Sequence, residues 1–181
     1  MITNNLKKII FSALFLAMGF ILPLFIGQIP TIGQMLLPMH IPVFLCGFIC
    51  DWKYGALIGF ILPLLRSLLF SVPIMYPTAI AVAFEMAVYG LITGLIFGVC
   101  KKKNVISVYA SMLPAMILGR MVRCFAEIVL LNLKGNPFIW KTFASMVILH
   151  SLPGIVLQLI LIPTVILTIK NAKIIRLCHN V

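Results

Sequence analysis

The sequence contains little charge and very few acidic residues. Only 9% of its 181 residues are Asp, Glu, Lys or Arg, and 3 acidic residues stand against 14 Lys and Arg, for a net charge of +11. The hydrophobic fraction is 63% and the mean hydropathy is +1.22. A water-soluble domain of this size needs far more surface charge. Because low-charge apolar segments of about 17–28 residues recur, the sequence predicts an all-α integral membrane protein.

The motifs of nucleotide sites, metal sites and hydrolases are also missing. The sequence has no GxxxxGK[ST] phosphate loop, no HExxH and no paired acidic motif. Its five cysteines, Cys46, Cys50, Cys100, Cys124 and Cys178, lack the spacing of zinc ligands, so we interpret them as small apolar side chains. We therefore expect no metal, no organic cofactor and no enzymatic activity. If the protein works against a gradient, the energy comes from another protein.

The apolar segments predict one domain, residues 1–181, that contains six transmembrane helices. The spans lie at about 9–27, 39–50, 54–70, 78–100, 105–131 and 142–169. The second is short, since 12 residues of helix rise only about 18 Å against a hydrocarbon core of about 30 Å. Irregular backbone in "MLLPMHIP" would supply the missing length, provided that it lines protein or a cavity. We expect the first span to be retained, because no small-residue cleavage site follows it.

The basic residues predict the topology. With six spans, both termini fall on the same side as "DWK" and "KKK". That side carries Lys7, Lys8, Lys53, Lys101, Lys102, Lys103, Lys170, Lys173 and Arg176. The other side has only Lys134 and Lys141. By the positive-inside rule, both termini are predicted to be cytoplasmic.

Ionisable side chains inside the spans gather in the predicted outer half. They lie about 6–17 Å from the outer helix ends at 1.5 Å per residue. They are Arg66, Glu85, Arg120, Arg123, Glu127 and His150, and His40 opens the second span. Such residues are costly in hydrocarbon and commonly mark substrate or ion pathways. Their clustering predicts a polar cup that is open to the outside.

Charge balance within this cup suggests its ligand. Arg120, Arg123 and Glu127 share one helical face, and Arg66 and Glu85 lie at similar depth on consecutive helices, where we expect them to pair. Three arginines then face two glutamates. We expect an anionic ligand to balance the remaining guanidinium, which holds a carboxylate or phosphate bidentately. Snorkelling of Arg66 and a purely structural Arg123–Glu127 pair remain open alternatives.

Small residues on the first span predict a docking surface. Ala13 and Ala17 are four residues apart, with Gly19 just beyond. Such spacing lets another helix approach closely. The surface would accept a partner subunit near the cytoplasmic side, and internal helix packing is the alternative.

Together these features resemble a known family. The stretch "LLPMHIPVFLCGFICDWKYGALIGFILPLLRSLL", followed by "FEMAVYGLITGLIFG", is similar to the substrate-binding S components of energy-coupling factor (ECF) vitamin transporters, in their pantothenate-type or uncharacterised branch. The resemblance implies a six-helix subunit of a bacterial plasma membrane that binds a vitamin on the outer side. It also implies that Ala13 and Ala17 dock on a transmembrane coupling subunit driven by two ATPases.

The resemblance further implies where the vitamin binds. The loop at 28–38, which includes Gln34, would cap the site, and helices four to six would supply most contacts. The predicted substrate-binding residues are Gln34, His40, Arg66, Glu85, Tyr89, Arg120, Arg123, Glu127 and His150. The surplus positive charge favours an anion such as pantothenate. An autonomous secondary transporter and a small integral membrane enzyme remain as alternatives, and no nucleic-acid partner is expected.

Overall fold

The structure, a computed structural model, is built from helices. It describes residues 2–26, 38–100, 104–133, 135 and 152–171. In those ranges it has six α-helices and no β-strand. The helices are α1 (Ile2–Ile26), α2 (His40–Cys50), α3 (Trp52–Phe70), α4 (Ile80–Val99), α5 (Val105–Leu133) and α6 (Leu152–Asn171), and a short π-type turn, Met75–Ala79, precedes α4. The predicted all-α fold and its six helices are confirmed.

Five of these helices are long and apolar enough to cross a membrane. The candidate spans are Asn5–Phe25, Trp52–Phe70, Met75–Val99, Val105–Leu133 and Leu152–Ile169. Helices suit this setting because they satisfy every backbone polar group without water. The 11 residues of α2 confirm that the second helix is short. Residues 142–151, the first part of the predicted sixth span, lie outside the described residues.

The short helix α2 occupies the centre of the bundle. All its residues are buried, and it packs on α1, α3, α4 and α6. The Phe44 ring stacks on Tyr89 of α4 with centroids 4.9 Å apart, and Phe48 meets Phe97 edge-on at the same distance. A helix that is apolar on every side is expected in such a buried position.

Glycines bring α3 and α4 into direct backbone contact. A Cβ atom placed on Gly90 would lie 2.2 Å from the carbonyl carbon and oxygen of Gly55, and one on Gly59 would lie 2.3 Å from the Met86 carbonyl oxygen. Neither position leaves room for a side chain. These contacts fix the antiparallel register of the two helices and set Gly59 opposite Met86.

One residue, Asp51, forms the whole connection between α2 and α3. Its backbone φ is 111°, a strained conformation for any residue except glycine. Its Oδ1 accepts a hydrogen bond from the Trp52 backbone N–H at 2.8 Å, and its Oδ2 lies 3.3 Å from Lys8 Nζ. The ion pair brings the start of α1 to the α2–α3 corner. Following the predicted topology, we call this the inner end and the end that carries Phe70 the outer end.

Candidate functional site

A fully buried carboxylate lies at the centre of the candidate site. The Glu85 side chain on α4 is 0% exposed. Its Oε1 lies 3.1 Å from Arg120 Nε and accepts the Tyr89 hydroxyl hydrogen bond at 2.6 Å, while its Oε2 accepts from Arg123 Nη1 at 3.0 Å. A carboxylate without water requires such partners, since a buried unpaired charge is very costly. Glu85 therefore ties α4 to α5 by two ion pairs.

Helical spacing and one glycine place these groups together. Tyr89 follows Glu85 by one turn on α4, and Arg120 and Arg123 are three residues apart on one face of α5. Gly119 lets the helices approach, because a Cβ atom there would lie 2.2 Å from Tyr89 Cε1. The sequence analysis missed the role of Gly119. In the sequence, the only signal for this role is that Gly119 directly precedes the intramembrane Arg120.

A second carboxylate extends the cluster toward the outer end. Glu127 Oε2 lies 3.8 Å from Arg123 Nε, one turn further along α5. The side chains of Arg120, Arg123 and Glu127 remain 19%, 13% and 15% exposed. We call Glu85, Tyr89, Arg120, Arg123 and Glu127 the α4–α5 network. It combines two guanidinium groups with two carboxylates, and the side chains of Arg120, Arg123 and Glu127 are partly exposed.

The expected pairing of Arg66 with Glu85 is wrong. Glu85 pairs with Arg120 and Arg123 instead. Arg66 on α3 is 7% exposed, and its Nε and Nη1 have no hydrogen-bond partner. Because Gly59 faces Met86, Arg66 lies about 9 Å further toward the outer end than Glu85 at 1.5 Å per residue. Its guanidinium carbon lies 5.8 Å from the ring centroid of Phe70.

Other predicted site residues lie around the network or outside the described ranges. His40 is buried at the start of α2, with its ring centroid 5.5 Å from that of Tyr89. It thus contacts the network through an aromatic ring. Gln34 and His150, like most of the loop at 28–38, lie outside the described residues. Among the described side chains, no three His, Cys, Asp or Glu residues are grouped as metal ligands.

The two alanines of the predicted docking surface lie on an outward face of α1. Ala13 and Ala17 are both exposed, next to exposed Leu14 and Ile21. Gly19, in contrast, faces inward, where a Cβ atom would lie 2.5 Å from a methyl carbon of Leu62. Among the described helices, internal packing therefore explains Gly19 and does not explain the two alanines.

Comparison with known proteins identifies a family. The family model of the ECF transporter substrate-specific component matches residues 7–166, which include most of α1, all of α2 to α5 and most of α6. Neither the curated proteins nor the solved structures gave a significant match. The matched segment contains every residue of the α4–α5 network. The chain belongs to the substrate-specific components of ECF transporters, the membrane-embedded subunits that recognise the transported solute.

Proposed function

We propose that this protein captures a small anionic vitamin or related micronutrient, with pantothenate as the best candidate, on the outer side of a bacterial plasma membrane. It binds this solute with high affinity and delivers it inward by docking on a transmembrane coupling subunit driven by two ATPases. Family membership supports the role of a substrate-specific subunit. The solute, the membrane and the partner subunits are our proposal.

The observation that supports capture of a polar solute is the α4–α5 network, and the preference for an anion comes from the excess of three intramembrane arginines over two glutamates. Glu85 is surrounded by two ion pairs and a tyrosine hydroxyl. Stability alone does not explain this arrangement, because an apolar cluster of similar volume is often equally stable. Arg120 and Arg123 are both partly exposed, which is consistent with contact between their guanidinium groups and a solute. Guanidinium groups held in place by carboxylates are suited to fixed hydrogen bonds with a polar ligand.

The position of the network favours capture from outside. In the predicted topology Glu85 and Arg123 lie in the outer half of the bundle. Among the buried side chains of the described inner half, the core is mostly apolar, with Phe48 and Phe97 as its largest members. An autonomous secondary transporter usually places its site near the midplane between internal repeats. A one-sided site fits a binding subunit that relies on a partner for energy.

The solute can be identified directly. We expect native mass spectrometry of the detergent-purified protein to show a bound small anion, and isothermal titration calorimetry to show tight pantothenate binding. Vesicles that contain this protein alone should not accumulate the solute. Purified protein that carries no solute and binds none would contradict the proposal, and uptake by the protein alone would favour an autonomous transporter.

Docking through α1 can be tested separately from capture. Ala13→Trp or Ala17→Trp places a large ring on the exposed face of α1, where a partner helix would otherwise approach closely. We expect either substitution to abolish uptake in cells while the Kd for the solute is unchanged. Ile117→Trp is the control, since Ile117 is also an exposed apolar residue but lies on α5.

The control distinguishes docking from general damage to the membrane surface. Ile117→Trp should retain uptake. If either alanine variant loses solute binding as well, the alanine face is required for the fold of the bundle, and our assignment of the partner surface is wrong.

A further inference from the structure

Arg66 combines low exposure with two unpartnered donor atoms. Its side chain lies on the buried stripe of α3 with Leu62 and Ser67, and the residue is 7% exposed. Its Nε and Nη1 donate no hydrogen bond, and the buried hydroxyl of Ser67 also has no partner. Phe70 contributes only the face of its ring. A guanidinium in this position needs an anion, because burying an uncompensated charge costs several kcal/mol.

No acidic side chain of this chain can serve as that anion. The sequence has 3 acidic residues, and all of them are described. Asp51 pairs with Lys8 at the other end of α3, 15 residues or about 22 Å from Arg66. Glu85 and Glu127 are engaged by Arg120 and Arg123. The acidic side chains of this chain therefore do not supply a counter-charge for Arg66, so its guanidinium can accept an anion from outside the chain.

We propose that Arg66 and Ser67 form an oxyanion subsite of α3, which holds the carboxylate or phosphate group of the captured solute. This inference rests on the proposed function and specifies which group of the solute binds where. Two donor atoms of Arg66, Nε and Nη1, are unpartnered, so the guanidinium has free capacity for the oxygens of a carboxylate or phosphate. The unpartnered Ser67 hydroxyl on the same buried side of α3 supplies a further donor.

The subsite is separate from the α4–α5 network. The network already balances its own charges, since Glu85 and Glu127 match Arg120 and Arg123. It therefore suits the uncharged polar groups of a solute, such as hydroxyl or amide groups. The offset of about 9 Å between Arg66 and Glu85 along the bundle then selects an extended molecule. We infer a solute with an oxyanion at one end and neutral hydrogen-bonding groups at the other.

Two substitutions and a pair of solutes test the subsite. The protein is purified in dodecyl maltoside, a detergent without phosphate, and titrated with pantothenate and with panthenol, its uncharged alcohol analogue. Arg66→Gln should weaken pantothenate binding by about 10- to 100-fold, the factor for a lost charge-assisted hydrogen bond. It should leave panthenol binding unchanged. Ser67→Ala should weaken pantothenate by about 2- to 10-fold, as for a neutral hydrogen bond.

Matched variants show whether a loss of binding comes from a lost contact or from misfolding. Arg66→Lys keeps the charge but not the planar fork, and should lie between wild type and Arg66→Gln. Ser71→Ala removes an exposed hydroxyl one turn beyond Ser67 and should behave as wild type. Native mass spectrometry of the same proteins frees the result from the choice of solute, because Arg66→Gln should lose whichever anion copurifies with wild type.

Each contrary outcome has a distinct meaning. If wild type binds a small anion and Arg66→Gln binds it equally well, the subsite is wrong while the proposed function stands. If wild type carries only phospholipid at Arg66, and pantothenate affinity is the same in both proteins, the counter-charge is a lipid phosphate and the inference is overturned. If wild type binds no solute at all, the proposed function fails and the subsite fails with it.

Discussion

Helix α4 has two sides that are held by different forces. Toward α3 it is in backbone contact, and Gly55, Gly59 and Gly90 leave no space for a side chain. Toward α5 it is held by ion pairs from Glu85 to Arg120 and Arg123, which remain partly exposed. We refer to these as the glycine side and the charged side of α4.

The difference between the two sides separates scaffold from site. Contacts between backbones tolerate almost no change in volume, because packed interiors have no empty space to absorb extra atoms. The charged side instead joins its helices through long side chains that can also contact a solute. The glycine side should therefore determine whether the bundle folds, and the charged side should determine mainly what it binds.

The largest effect is expected on the glycine side. Gly90→Val should yield little folded protein, because its Cβ would lie 2.2 Å from the Gly55 backbone and cannot move aside. Gly98→Val is the matched control on the same helix, since a Cβ atom there meets nothing within 4 Å. Size-exclusion chromatography and thermal melting in detergent measure both. Equal melting temperatures would show that α3 and α4 can separate and that the register is not fixed by glycine.

A smaller loss is expected on the charged side. Glu85→Ala leaves Arg120 and Arg123 without their shared carboxylate and should lower the free energy of unfolding by about 3–5 kcal/mol, the range for breaking a buried ion pair. Glu127→Ala is the comparison, and it should cost less because Glu127 is partly exposed and lies 3.8 Å from Arg123 Nε. Chemical denaturation in detergent measures both. Equal losses would mean that burial does not distinguish the two carboxylates.

Much of this fold followed from the sequence because its signals are local. Apolar length predicted six helices, and the shortness of the second span appears as the 11 residues of α2. Spacings of three and four residues correctly placed Arg120, Arg123 and Glu127 on one face of α5, since helical periodicity requires nothing beyond the helix itself.

The register between helices was not predictable in the same way. Arg66 and Glu85 were expected to pair because they lie at similar distances from the ends of their spans. The glycine contacts of α3 and α4 offset them by about 9 Å, and helix ends do not reveal such an offset. For the same reason the role of Gly119 was missed, because a close approach to Tyr89 depends on the partner helix. The roles of Gln34 and His150 remain predictions.

The smallest effect is expected at the inner end, where an ion pair resembles those of the charged side but differs in environment. Lys8 and Asp51 lie 3.3 Å apart, with side chains that are 16% and 31% exposed. Lys8→Ala should lower the free energy of unfolding by about 0–1 kcal/mol, as for surface ion pairs, and the effect should shrink at high ionic strength. Lys7→Ala is the matched control, since Lys7 is its exposed neighbour and loses the same charge.

The expected effect is small because Asp51 does not depend on Lys8. After the substitution its Oδ1 still accepts the Trp52 N–H hydrogen bond at 2.8 Å, and water can reach the other oxygen. Glu85 has no such access, since it is fully buried. Thermal melting of both lysine variants at low and high salt measures the difference. A loss at Lys8 as large as that of Glu85→Ala would mean that the strained α2–α3 corner holds the bundle as firmly as the network does, and that burial does not explain the contrast between the two ends.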